Sequence, residues 1–127
     1  MLVVQSGATR YVWTMRFIFK ICTRAEWAGA TATGVYGGSA LDHHDGFIHL
    51  SAPAQVRETA ARHFAGQSDL VLVALGESAL ANLKWEPSRG GALFPHVYGT
   101  IPASAAAWVK DLPLVDGTHV FPDEAGV

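Results

Sequence analysis

Asp69–Leu75 is the most hydrophobic stretch of the chain: after the aspartate come Leu-Val-Leu-Val-Ala-Leu with no polar interruption. A strand with no polar alternation has no solvent face, so this run reads as a central strand. No apolar run approaches the roughly 18 residues that a membrane helix needs. The rest of the chain has to supply neighbours for this strand.

Phe17–Cys22, apolar with β-branched and aromatic residues, supplies one of them. Thr23 and Glu26 follow in the T-x-x-E spacing of a capping box, which predicts a helix through about Ala32, with Trp27 on its buried side and Gly34 as its stop. Val35–Asp45, rich in Gly, Ser, Asp and His, reads as a loop. Gly46–Ser51 alternates like a strand: Phe47, His49 and Ser51 point one way, Ile48 and Leu50 the other. Ser51 is placed to cap a second helix, with Pro53 in its first turn and Val56, Ala60 and Phe64 as its core stripe. Leu83–Glu86, part of Phe94–Ile101, Ala107–Leu112 and His119–Phe121 supply further short strands. Strands outnumber helices, and both helices fall in the first half. That is not the βαβ alternation of a doubly wound fold. An α+β fold follows, with a mixed, bent sheet and two flanking helices. At 127 residues there is room for one domain, set at 16–122, with 123–127 as a tail.

Residues 1–15 read as an extension. Met1–Thr14 lacks the basic and continuous apolar regions of a signal peptide, and Met15 directly precedes the first clear strand, which suggests a natural start there. A single cysteine, Cys22, excludes an internal disulfide and points to a reducing, cytoplasmic setting. The net charge is −2 and the nine Lys and Arg residues are scattered, which argues against a duplex nucleic-acid partner. No membrane partner is expected.

Candidate chemistry falls in two segments. In Asp45–Ser51, His49 and Ser51 lie on one strand face about 7 Å apart, spaced to hold a hydroxylated or phosphorylated ligand. The same pattern also suits a half-buried, hydrogen-bonded histidine beside a helix cap. Trp85–Gly99 packs Trp85, Glu86, Arg89, His96 and Tyr98 around a Gly-Gly hinge. Active-site loops concentrate polar and aromatic residues in this way, although a surface loop with a solvated Glu and Arg has the same composition. Arg89 suits a phosphate, and Trp85 or Tyr98 a flat ring. His43, His44, Asp45 and His49 match no zinc spacing, so no metal is expected, and a metal-assisted hydrolase is the third reading. No G-x-S-x-G elbow or G-x-x-x-x-G-K loop is present.

Phe17–Cys22, Glu26-Trp27, Gly46–Ser51, Asp69–Val73, Trp85-Glu86 with Arg89-Gly90, Phe94–Gly99 and Gly117–Pro122 together resemble the bacterial family called domain of unknown function 952. The resemblance runs from about Arg16 to Pro122. That family is similar in fold to ADP-ribosyltransferases, which implies a split, bent sheet around a nicotinamide dinucleotide cleft. Ile48–Ser51 further resembles the histidine-bearing strand of RNA 2′-phosphotransferases, where such a histidine holds a ribose or phosphate. The resemblance gives that role to His49, with Ser51 as its neighbour.

On this basis the candidate catalytic residues are His49, Glu86 and His96. Glu86 stands in for the late glutamate that steadies the ribose in many transferases. Ser51, Trp85, Arg89 and Tyr98 are the candidate ligand-binding residues. NAD as substrate, ADP-ribose or a related nucleotide-like molecule is the expected ligand. If the domain is catalytic, it is a transferase of the ADP-ribosyl or 2′-phosphate class. The alternative is a non-catalytic module that binds a small metabolite or a protein.

Overall fold

A computed structural model of the chain describes residues 16–127; the extension expected at 1–15, and with it the start proposed at Met15, lie outside them. In chain order the described residues form β1 (Phe17–Thr23), α1 (Arg24–Thr33), β2 (Val35–Tyr36), α2 (Ala40–Asp45), β3 (Ile48–His49), α3 (Val56–His63), β4 (Leu70–Gly76), β5 (Leu83–Pro87), β6 (Leu93–Val97), β7 (Ile101–Pro102), β8 (Ala106–Leu112), β9 (Leu114–Val115) and β10 (Thr118–His119).

The apolar run becomes β4, buried at every position. It lies between β1 and β8 in a three-stranded sheet. A second three-stranded sheet has the order β3-β6-β5, and β2-β7 and β9-β10 are short ribbons. The backbones of the two larger sheets are joined by a bridge, where Phe19 and Ser51 exchange hydrogen bonds of 2.8 and 2.9 Å. The fold is α+β, with several sheets and few helices. Every named strand pairing is antiparallel, whereas the sequence reading expects a mixed sheet.

Alternation along β1 and β4 builds a core on each face of their sheet. Ile18, Cys22, Val71, Val73 and Leu75 face one way, against Trp27 and Ala30 of α1 and against Ile48, Leu50 and Val97 of the second sheet. Phe19, Ile21, Leu70, Leu72 and Ala74 face the other way, against Val56 and Ala60 of α3, with Leu112 and Phe121. Phe64 packs there too, completing the i, i+4, i+8 stripe that the spacing predicts. Burial pushes the Cys22 thiol up to about 12, so at neutral pH it is a protonated core residue. Among the described residues no helix is long and apolar enough to cross a membrane.

The capping box of α1 forms as read: Glu26 N donates to Thr23 Oγ1 at 3.0 Å, Thr23 N donates to Glu26 Oε1 at 2.8 Å, and Gly34 ends the helix at φ 87°. Two expectations fail. The stretch read as a loop contains α2, a third helix, which starts from a second capping box between Ser39 and Asp42. Ser51 caps no helix. Residues 53–55 form a turn first, Gln55 precedes α3, and the Ser51 hydroxyl turns instead to Thr59 Oγ1 at 2.8 Å. The segment read as a tail carries a 3₁₀ turn at Asp123–Ala125, and Ala125 and Val127 pack on the second core.

One residue breaks the apolar pattern of the first core. Lys20 points inward between Ile18 and Cys22 and is 5% exposed. Its ammonium reaches Asp42 Oδ2 at 2.8 Å and the His49 carbonyl at 3.0 Å. Breaking one half of a buried pair leaves an uncompensated charge. Lys20→Met, close in volume, is expected to cost about 3 kcal/mol of unfolding free energy. Urea titration followed by tryptophan fluorescence checks this; a change below roughly 1 kcal/mol would show the pair to be structurally dispensable.

Candidate functional site

The site is organised from Asp42, on the inner side of α2. Its carboxylate accepts from Ser39 N (2.8 Å), Lys20 Nζ (2.8 Å), His49 N (3.1 Å) and His49 Nδ1 (2.6 Å). Burial alone would raise its pKa, but the His49 hydrogen bond and the Lys20 charge outweigh burial and hold it well below the usual carboxylate range. The loop before α2 comes in tightly: Gly38 sits at φ 106°, and a Cβ there would lie 3.0 Å from that of Asp42. Only glycine fits without moving the carboxylate.

His49 stands on β3 with both ring nitrogens engaged. Nδ1 meets Asp42, and Nε2 meets Asp45 Oδ2 at 2.8 Å. Asp45 also meets His44 Nδ1 at 2.9 Å, and the hydrogen bond from His44, with that from His49, draws its pKa down despite some desolvation. His43 and His44 are exposed on α2. Among the described residues no three His, Cys, Asp or Glu side chains gather into a group able to hold a metal ion.

Register brings the second segment to the first. In the β3–β6 pairing His49 lies directly opposite His96, and their rings are 5.7 Å apart, edge to face. The Phe47 ring stacks on His96 at 4.1 Å and lies 4.6 Å from His49 and 5.4 Å from Tyr98. His96 Nδ1 meets Glu86 Oε1 at 2.8 Å, and the Tyr98 hydroxyl donates to the same oxygen at 2.8 Å. These bonds, His96 first, hold the Glu86 carboxyl below its usual range, and Glu86 in turn raises the Tyr98 hydroxyl. No partner contacts Glu86 Oε2 among the described residues. A cavity of about 280 Å³ lies beside Phe47, lined also by Gly37, Asp42, His43, Gly99 and Thr100.

The remaining candidates separate. Phe94 is two residues from His96 on β6 and so shares its face. The Arg89 guanidinium lies 4.8 Å over the Phe94 ring, and Nη2 donates to Thr59 Oγ1 at 3.3 Å. Ser51 meets the same Thr59 oxygen, so Ser51 and Arg89 form a second cluster next to the histidines. Trp85 alternates to the other face of β5. It packs against the first core and donates from Nε1 to Glu77 Oε2 at 3.0 Å, away from Glu86 and His96. Lys20, Asp42 and Thr59 are contributors that sequence reasoning missed; alternation puts Phe47 on the His49 face but does not count it in the site. Lys20 did leave a signal, as a lone charge inside an apolar strand.

A split antiparallel α+β scaffold carrying a histidine pair bracketed by carboxylates defines the class. The chain belongs to the family described as Protein of unknown function (DUF952), whose model matches residues 21–109. The crystal structure of protein CC0527 from Caulobacter crescentus is 49% identical and superposes with a TM-score of 0.82, covering 87% of this chain and 99% of that one. The crystal structure of its double mutant gives the same figures. Its solution NMR structure is 50% identical, covers 81% of this chain and 90% of that one, and has a TM-score of 0.73. No curated protein matches the chain.

Because the folded Asp42 carboxyl lies below its ordinary 3.8, the unfolded chain binds that proton more readily. Its contribution to stability is complete above the unfolded value and is lost as pH falls through it toward the folded one. Wild type is therefore expected to lose stability between about pH 5 and pH 3 more steeply than Asp42→Asn. Urea midpoints of both proteins across that range measure the difference; parallel curves would remove Asp42 as the source.

Proposed function

We propose that the domain binds NAD, ADP-ribose or a related ribose-phosphate ligand on the face of the β3-β6-β5 sheet, as an ADP-ribosyltransferase-like fold would. The observation that carries this reading is the placement of His49, Glu86 and Tyr98 around Phe47, with the buried His96 holding Glu86 and Arg89 beside them. A ribose needs hydrogen-bonding groups, a nicotinamide or adenine ring needs an aromatic rim, and a phosphate needs a cation. The face holds each of these within a few residues.

His49 hydrogen-bonds a ribose hydroxyl or phosphate, with Ser51 as its neighbour. Tyr98 and Phe47 flank a flat ring. Glu86 is oriented by His96 and Tyr98 through one oxygen and offers the other to the sugar. In the catalytic version of this reading the C1′–N bond breaks, and its electron pair leaves with nicotinamide. Glu86 stabilises the positive charge that develops on the ribose, and water or another acceptor forms the new bond to C1′ and loses its proton. Transfer of a 2′-phosphate is the other reaction this class admits.

A second reading, a non-catalytic binding module of the same fold, has its own support. Both nitrogens of His49 are already held by carboxylates. Such a histidine fixes the shape of a surface without taking part in chemistry.

Calorimetric titration with NAD, ADP-ribose and a 2′-phosphorylated dinucleotide tests both readings. Micromolar to low-millimolar binding is expected, weakened in His49→Ala protein that still melts cooperatively. Release of nicotinamide from NAD, reduced at least a hundredfold in Glu86→Gln, supports the enzyme. Binding without release supports the module, and no heat with any of the three ligands sinks the nucleotide reading.

A further inference from the structure

The Arg89 cluster has an imbalance that the histidine face does not. Arg89 makes no ion pair with a carboxylate among the described residues. Nη2 has the 3.3 Å bond to Thr59, while Nη1 is buried with no acceptor. A buried guanidinium donor without an acceptor is costly, and the guanidinium carbon sits 4.8 Å over the Phe94 ring. Glu58, the carboxylate that feels the Arg89 charge, is committed to Arg62 at 2.7 Å.

The opposite wall of this corner comes from one face of α3. Gln55, Thr59 and His63 recur every fourth residue and so lie along one side of the helix. Gln55 Nε2 donates to the Leu93 carbonyl of the β5–β6 hairpin at 2.7 Å, and Thr59 accepts from Arg89 of the same hairpin. Thr59 Oγ1 also donates to the Gln55 carbonyl at 3.1 Å, which leaves its lone pairs to Arg89 and Ser51. His63 comes one turn later, at the end of α3, and is exposed. Partial burial first, and then the charges of Arg89, His49 and Arg62, lower its pKa.

We propose that Arg89, Thr59 and His63 form an anion subsite that takes a phosphate group of the ligand. The Arg89 fork donates from Nη1 and Nη2, the Thr59 hydroxyl lies beside it, and His63 closes the far side. The subsite deepens the ribose-phosphate reading and rests on it: the phosphate would lie next to Phe94, one step along β6 from the histidine pair.

The test follows backbone amide shifts of the full chain by NMR during titration with inorganic phosphate and, separately, with ADP-ribose. Wild type, Arg89→Gln, Arg89→Lys, His63→Gln and His49→Ala are compared, and each is first checked for cooperative melting. Phosphate is expected to shift residues around Thr59, His63 and Arg89. Arg89→Gln should weaken both probes about tenfold or more, Arg89→Lys less, and His63→Gln about threefold. His49→Ala should weaken ADP-ribose more than it weakens phosphate. Unchanged ADP-ribose binding in Arg89→Gln and His63→Gln overturns the subsite and leaves the ribose-phosphate reading standing. Phosphate binding that needs Arg89, in a protein that ignores ADP-ribose, keeps the subsite and overturns the ribose-phosphate ligand. Binding of neither probe overturns both.

Discussion

The rest of the structure depends on the contact between Lys20 and Asp42. Lys20 belongs to the central sheet, and Asp42 to a short helix beside the second sheet. Their 2.8 Å pair is buried and spans 22 positions of sequence. An apolar pair of matching volume would hold two layers together at least as well, because burying ions costs solvation. What the ions add is direction. Lys20 occupies one oxygen of Asp42, Ser39 anchors the same carboxylate to the start of α2, and the other oxygen is left facing His49. The ring of His49 is therefore oriented from the core outward. Beyond the single Phe19–Ser51 bridge, the same contact ties the two sheets together at the place where the candidate site begins.

Much of the scaffold is legible along the chain because its signals are local. Unbroken apolarity marks β4, alternation marks β1 and the His49 strand, and a T-x-x-E spacing marks the start of α1. The failures also have local causes. The capping box of α2 uses an aspartate at its third position, and its six residues include one large apolar side chain, Leu41, which is exposed. With no stripe to bury, the segment has the composition of a loop. Ser51 with Pro53 two residues on looks like a helix start. The backbone first spends residues 53–55 on a turn, and the hydroxyl is taken by Thr59 instead.

The candidate site was legible as two segments but not as one surface. Pro95 and Gly99 obscure the phase of the second segment, and only the β3–β6 register shows His96 opposite His49. Register also removes Trp85, whose neighbour Glu86 takes the site face while Trp85 takes the core. Long-range partners such as Thr59 for Arg89 leave no mark in either segment alone.

The closed state of His49 bears on how any ligand could engage it. The two carboxylates that hold the ring are not equivalent. Asp42 is 3% exposed and satisfies four donors, so displacing it would strand Lys20 and uncap α2. Asp45 is exposed at the end of α2, and its other partner, His44, is a surface residue that water can replace. A ligand oxygen arriving at Nε2 therefore competes with Asp45 alone, and the competition occurs at a surface where ion pairs are weak. The buried Asp42 half of the clamp keeps the ring aimed, and the exposed Asp45 half is the one a ligand could replace. A histidine held in this way combines fixed geometry with one replaceable partner, and that combination suits binding at Nε2 whether or not chemistry follows.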